Sequence, residues 1–481
     1  MASAIALPVY GVLLVAAAAV VWRRPLVALY LFVVGLAAHN LVMALLWGGG
    51  VRGDSLEAIA AWKEGLLAVV VARVALNVVR ARKLSFQPGT VDALALAFGA
   101  IVVLYAILPQ GPLGGHAGAK AVLYGLRHDL VPVAAYFVGR SLGLGRAEGR
   151  RIAWTLLGAA AALATFGLIE EYTVPVEWWR HSGAVGYFRD QLGFDYHGPG
   201  HLPENFAFNT TDGLFRRLVA TFISPLATAY LLVVALLLAP RRRLAVPLAV
   251  IAFAGLLFTV SRSALAGLVV GLVVLAIVRR SAWPAAAAVV AAAIGIGFAA
   301  SFTSIAPKTH FFKADLAYQY AQARKHGGLP KGGATALNPG EASLKSHVTN
   351  LRDGLKTVGR HPQGYGLGNA GATAARTNTK IEAGESNYTE IGVETGLAGM
   401  ILFIAWNLAL LAGLARAGWA GDPRAAAVVA ALAAILAVAV QTDAYGVPWL
   451  GYCLWWAAGA ALVPVARRAR ARVLSPATEH P

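Results

Sequence analysis

The chain has 481 residues, of which 58% are hydrophobic and only 13% charged, and it carries a formal charge of +18; its mean hydropathy is +0.63. Soluble domains carry roughly twice that share of charge, so most of this chain does not face water, and a disordered, collagen-like or soluble nucleic-acid-binding chain is excluded. The single cysteine, Cys453, sits in a hydrophobic run and excludes a disulfide scaffold.

A helix needs about 20 apolar residues to cross a bilayer core. Such stretches fall near 5–22, 26–47, 58–78, 91–108, 128–140, 152–173, 217–239, 244–260, 263–278, 282–301, 388–412, 425–443 and 448–466. The expectation is an all-α polytopic integral membrane protein with about 12–13 transmembrane helices. The stretch near 128 is short and follows a Gly-rich run, Gly111 to Gly118, that suits a re-entrant or interfacial segment equally.

Basic clusters follow alternate stretches: Arg23-Arg24, Arg80/Arg82/Lys83, Arg146/Arg150/Arg151, Arg241-Arg242-Arg243, Arg279-Arg280, Arg416/Arg424 and Arg467/Arg468/Arg470/Arg472. The positive-inside rule makes these cytoplasmic, with the N-terminus outside and the C-terminus inside. The first hydrophobic run has its arginines after it, so it reads as a retained helix and not a cleaved signal. The organisation expected is an N-terminal bundle over 1–301 with an extracytoplasmic segment at 174–216, a large loop over 302–387, and C-terminal helices over 388–481.

That large loop is unusual in charge. Between 302 and 386 it holds eleven Lys and Arg residues (Lys308, Lys313, Arg324, Lys325, Lys331, Lys345, Arg352, Lys356, Arg360, Arg376 and Lys380) against five acids (Asp315, Glu341, Asp353, Glu382 and Glu385). Long loops translocate regardless of charge, so topology permits the surplus without explaining it; an anionic ligand explains it. Val348, Leu351, Leu355 and Val358 form one stripe of a helix that Pro362 stops, with Arg352 and Lys356 on its flank. The glycines at 364, 366 and 368 then let backbone approach a ligand or another segment closely, or form an anion-binding nest. The alternative is a surface helix and a flexible turn.

The chain re-enters the membrane through Glu385-Ser386-Asn387-Tyr388-Thr389-Glu390 and Glu394-Thr395-Gly396-Leu397-Ala398-Gly399. Carboxylates near a helix start are favoured by its dipole. This accounts for Glu390 better than for Glu385, which precedes the helix. Glu394, one turn deeper, needs a partner if buried. Arg217 opens one apolar stretch, with Arg216 beside it, and Arg262 opens another after Ser261; snorkelling to the interface is the simple account of each. The aromatic residues of 174–216, among them Trp178, Trp179, Phe188, Phe194, Tyr196, Phe206 and Phe208, suit either the bilayer interface or a sugar-stacking platform. No Walker A, GxGxxG, HExxH or CxxC pattern occurs.

Four pieces in order, Arg217 to Pro225, Ser261-Arg262, Arg352 with His361 to Gly368, and Glu394 to Gly399, resemble the O-antigen ligase and polysaccharide polymerase superfamily. The resemblance covers about 215–400. It implies a fold resembling the GT-C-type membrane glycosyltransferases of the bacterial inner membrane, with the active site facing the periplasm. The reaction implied is metal-independent and inverting, moving a glycan from undecaprenyl diphosphate to an acceptor hydroxyl.

The partners implied are the undecaprenyl diphosphate-linked oligosaccharide, membrane lipid, and a chain-length regulator or flippase, with no nucleic acid. The resemblance gives Arg217, Arg262 and Arg352, with Arg216, Arg360 and His361, the role of binding the diphosphate. Ser386, Asn387, Tyr388, Glu394, Gly364, Gly366, Gly368 and His347 support them.

The ligases begin the re-entry motif with His; here Glu385 takes that position and Ser386 follows. Glu385 is thereby the expected general base, and the missing histidine favours a polymerase over a ligase. His347 and His361 lie elsewhere in the loop and do not fill the slot by alignment. A secondary transporter is the non-enzyme alternative; it needs ionisable residues at mid-membrane, for which Lys63-Glu64 and Glu170-Glu171 are the candidates. A scaffold protein leaves the basic loop unexplained.

Overall fold

The structure, a computed structural model, describes residues 2–210, 212–325 and 342–463. The basic cluster at 467–472, Lys331 and Glu341 lie outside them. Each of the thirteen apolar stretches carries a helix, because in a bilayer only a helix satisfies every backbone group of a single segment. Among the described residues seven helices are long and apolar enough to cross a membrane by length and composition: Ala2–Arg23, Val27–Gly48, Thr90–Ile107, Arg146–Thr173, Arg262–Arg279, Ala282–Ile305 and Asn387–Trp419. Pro225–Leu237, Ala245–Phe258 and Pro423–Val438 are apolar but shorter. The chain is a polytopic membrane protein.

Local chemistry sets the helix starts. The hydroxyls of Ser224 and Ser261 accept hydrogen bonds from Ala227 N and Ala264 N and cap the helices at Pro225 and Arg262, while the Asp422 carboxylate caps Pro423–Val438. Proline stands at the first turn of three helices that begin at 225, 423 and 448, where its missing N–H costs nothing. The helix expected near 128 is longer than the hydropathy suggests. It runs from Ala119 to Leu142 with Pro132 inside it, and the glycine run before it is a turn containing the 3₁₀ segment Gly111–Leu113.

The described residues are not all helical. Ala207–Thr210, Gly213–Arg216 and Lys308–Thr309 form a three-stranded antiparallel sheet, pairing Ala207 with Arg216 and Leu214 with Thr309. It ties the 174–216 segment to the start of the large loop, and Phe215 packs with Phe302 beneath it. In the same region Arg217 donates from Nε to Thr259 O (2.8 Å) and from Nη2 to Val260 O (3.3 Å). The first of the four family-like pieces is thus tied, side chain to backbone, to the two residues that immediately precede the second.

Candidate functional site

The loop helix Ala342–Arg360 crosses the start of the Asn387–Trp419 helix at Gly354, where a Cβ would lie 2.8 Å from the Thr389 side chain. Of the apolar stripe, Val358 is buried, whereas Val348 and Leu355 are exposed. The crossing carries His347, two turns back, over the chain as it enters the membrane. There His347 Nδ1 lies 2.7 Å from Glu385 Oε2. Glu385 adopts a left-handed backbone (φ +76°), which a non-glycine residue holds only where its surroundings insist. The hydrogen bond from His347 and, against the opposing effect of burial, a further one from Asn350 keep the Glu385 carboxyl below its ordinary pKa.

The three glycines at 364, 366 and 368 all have positive φ and press on other segments of the chain. A Cβ would lie 2.4 Å from Gly396 N at Gly364, 2.4 Å from the Gln110 side chain at Gly366, and 2.6 Å from the Ala121 backbone at Gly368. They fit the reading of close approach to another chain segment. The partner helix breaks to receive them: Gly396 leaves helical geometry (φ +72°), and Leu397 N donates to Pro362 O at 2.8 Å. Buried Glu394 has its partner here, accepting from Gly368 N at 2.8 Å. His361 lies 2.7 Å from Leu113 O through Nε2 and stacks on Tyr365, so it pins the turn to the Gly111–Leu113 segment.

The remaining expected residues separate into two groups. Arg216 and Arg217 are buried, Arg216 on Glu170 and Val174 O, Arg217 on the carbonyls already named. Arg262, Arg352 and Arg360 are exposed. Ser386 and Asn387 are buried, and Asn387 fastens the helix start to the loop before Pro448: Nδ2 donates to Asp443 Oδ1 (2.7 Å), and Oδ1 accepts from Ala444 N (2.8 Å). Tyr388 donates to Leu436 O at 3.0 Å.

Asp443 leads into a cavity of about 470 Å³, the size of a small-ligand site. Its walls combine Lys63, Arg127 and Arg376 with Tyr124, Phe188, Phe194 and Tyr196, and with His128 and Asp443. Four aromatic residues of 174–216, Tyr187, Phe188, Phe194 and Tyr196, therefore line the cavity, while Trp179 and Phe206 are core.

Lys63 and Arg127 both reach Glu64, at 3.5 and 3.4 Å. Arg376 has no carboxylate partner among the described residues; its guanidinium lies over the Tyr124 ring at 4.6 Å. Burial, reinforced by the charge of Arg127, pulls the Arg376 pKa down, because both disfavour the charged form. Sequence reasoning counted Arg376 only in the loop's charge, named Lys63 only under the transporter alternative, and missed Arg127, His128 and Asp443, which no local motif marks.

A comparison with family models matches residues 247–404 to the family described as O-antigen ligase. A search of curated proteins finds no match. Enzymes of that family are membrane glycosyltransferases of the ligase and polymerase type and act in lipopolysaccharide biosynthesis. The matched region spans the Ser261-Arg262 helix start, the large loop, the glycine turn and the re-entry helix, so residues 247–404 are similar to the O-antigen ligase family.

Proposed function

We propose that the protein is a polysaccharide polymerase of the bacterial inner membrane, transferring undecaprenyl diphosphate-linked glycan to the hydroxyl of a lipid-linked acceptor repeat unit. The observation that carries this reading is the pair of cavity guanidinium groups, Arg127 and Arg376, in an aromatic-walled space. Fixed guanidinium groups bind a diphosphate and stabilise the charge that grows on it as the glycosidic C–O bond breaks. Sugar rings stack on aromatic faces such as those of Phe194 and Tyr196, which are themselves parallel within 13°. Lys63 completes the cationic lining. Arg262 and Arg352 stay in the scheme as exposed cations on the approach; Arg216 and Arg217, bound to internal acceptors, hold the segment in shape.

The acceptor hydroxyl attacks the anomeric carbon opposite the diphosphate and gives up its proton. Glu385 is the expected base, and its contact with His347 refines that role. A carboxylate held below its ordinary pKa is a weak base, but it orients an imidazole and supports the charge the ring acquires on taking a proton. The dyad sets a histidine against the residue that stands where the ligase motif has one. It lies next to the cavity along the chain, since Asn387, two residues on, donates to cavity-lining Asp443.

The test is a reconstituted transfer with an undecaprenyl diphosphate-linked repeat unit as sole substrate. A ladder of lipid-linked oligomers supports the polymerase; a product that forms only when lipid A-core or another acceptor is added makes the protein a ligase.

A further inference from the structure

Beside the large cavity, and sharing His128 and Asp443 with it, is a second space of about 10 Å³, room for about one water or one ion. Its lining includes His128, Asp129, Glu390, Glu394 and Asp443. Five groups from three separate segments, four of them carboxylates, surround a space of ionic size. One donor atom each of His128, Glu390 and Asp443 lie within 4.8 Å of one another.

Two further observations point to a bound cation. Asp129 Oδ2 and Glu390 Oε1 are buried without a hydrogen-bond partner among the described residues, on side chains more than nine-tenths buried. Lone pairs left unused in such surroundings are costly unless a positive charge meets them. The imidazole is also set as a ligand would be. His128 Nδ1 lies 2.8 Å from Asp129 Oδ1, which orients the ring and leaves Nε2 facing Asp443 Oδ1 at 3.2 Å. A carboxylate on the far nitrogen is the usual support of a metal-binding histidine. The His128 Nε2–Asp443 Oδ1 separation of 3.2 Å is that of neighbouring corners of an octahedron with bonds of about 2.1 Å.

We propose that His128, Glu390 and Asp443 bind one divalent cation in this space, with Asp129 orienting the histidine. A donor set dominated by carboxylates favours Mg²⁺ or Mn²⁺, and the small space disfavours Ca²⁺, which takes more ligands at longer bonds. The cation braces three segments at the cavity wall: the Ala119–Leu142 helix, the start of Asn387–Trp419, and the loop at 443, which Asn387 Nδ2 (2.7 Å) and Gly446 N (2.6 Å) already hold by Asp443 Oδ1. It takes no step in glycan transfer, so its binding and the proposed activity stand or fall separately.

The experiment uses the full chain in detergent, stripped with EDTA and desalted, with no glycan present. Mn²⁺ is titrated and the free ion followed by electron paramagnetic resonance, with thermal unfolding in parallel. Wild type is expected to bind about one Mn²⁺ per chain, displaceable by Mg²⁺, and to melt higher with it. Glu390→Gln and Asp443→Asn are expected to weaken binding by at least about tenfold; Glu177→Gln, on an exposed acid, is expected to leave it unchanged. Absence of saturable binding by wild type up to millimolar Mn²⁺, or one-to-one binding unaltered in both Glu390→Gln and Asp443→Asn, overturns the proposal.

Discussion

Glu385 and His347 stand 38 positions apart in the chain and meet at 2.7 Å. The contact closes the large loop onto the point where the chain enters the membrane. Its pH dependence has a definite sign. Because the folded-state pKa of Glu385 is lowered, the stability it contributes is complete above the ordinary carboxylate value and is lost as pH falls through the lowered one. Thermal unfolding of wild type and Glu385→Gln should therefore differ most near neutrality and converge at strongly acid pH. A difference that grows on acidification contradicts this.

Arg376 is the most exacting test of the cavity. Arg376→Ala should cut transfer by about tenfold or more at unchanged expression, consistent with losing a charge-assisted contact worth about 1.5–3 kcal/mol. Arg376→Lys should recover only part of it, because an ammonium lacks the guanidinium fork. Initial rates at varied lipid-linked substrate measure both variants, and wild-type rates in Arg376→Ala remove the residue from the site.

The glycine turn should respond as structure. Gly368→Ala forces a side chain into left-handed backbone and to within 2.6 Å of the Ala121 backbone, at a cost of about 2 kcal/mol or more. Gly359→Ala, where a Cβ meets open space, should change stability little. Melting temperatures in detergent, taken together, separate the two.

A buried ion pair away from the cavity offers a stability test independent of function. Arg140 grips Asp92 with Nε at 2.8 Å and Nη2 at 2.9 Å, and Tyr136 adds its hydroxyl at 2.7 Å. Asp92→Ala leaves the guanidinium buried without its carboxylate and should destabilise by about 3–5 kcal/mol. Loss of detergent-resistant fold at moderate temperature is the expected readout.

The helices were legible because each must satisfy its own backbone in lipid, and that demand writes itself into long apolar runs. The Ala119–Leu142 helix was under-read for the converse reason: Lys120, Arg127, His128 and Asp129 interrupt its hydropathy, and Arg127, His128 and Asp129 all line the cavities. The glycine turn and re-entry helix were legible as motifs, but their partners were not, since Gln110, Ala121 and Leu113 lie some 250 positions away from the turn. The cavity draws on the 63, 127, 376 and 443 regions, and no spacing rule connects them. His347 was set aside because alignment compares positions along the chain, whereas the contact with Glu385 depends on the helix crossing at Gly354.

The most direct measurement is the reconstituted transfer assay run on wild type, His347→Ala, Glu385→Gln and the double variant, at matched amounts of folded protein and below the melting temperature of each. Each single variant should lose about 10²-fold or more of the rate, and the double variant should lose little beyond the worse single one, as residues acting as one unit do. Full transfer by His347→Ala would contradict the account, and with it the claim that the dyad takes the acceptor proton.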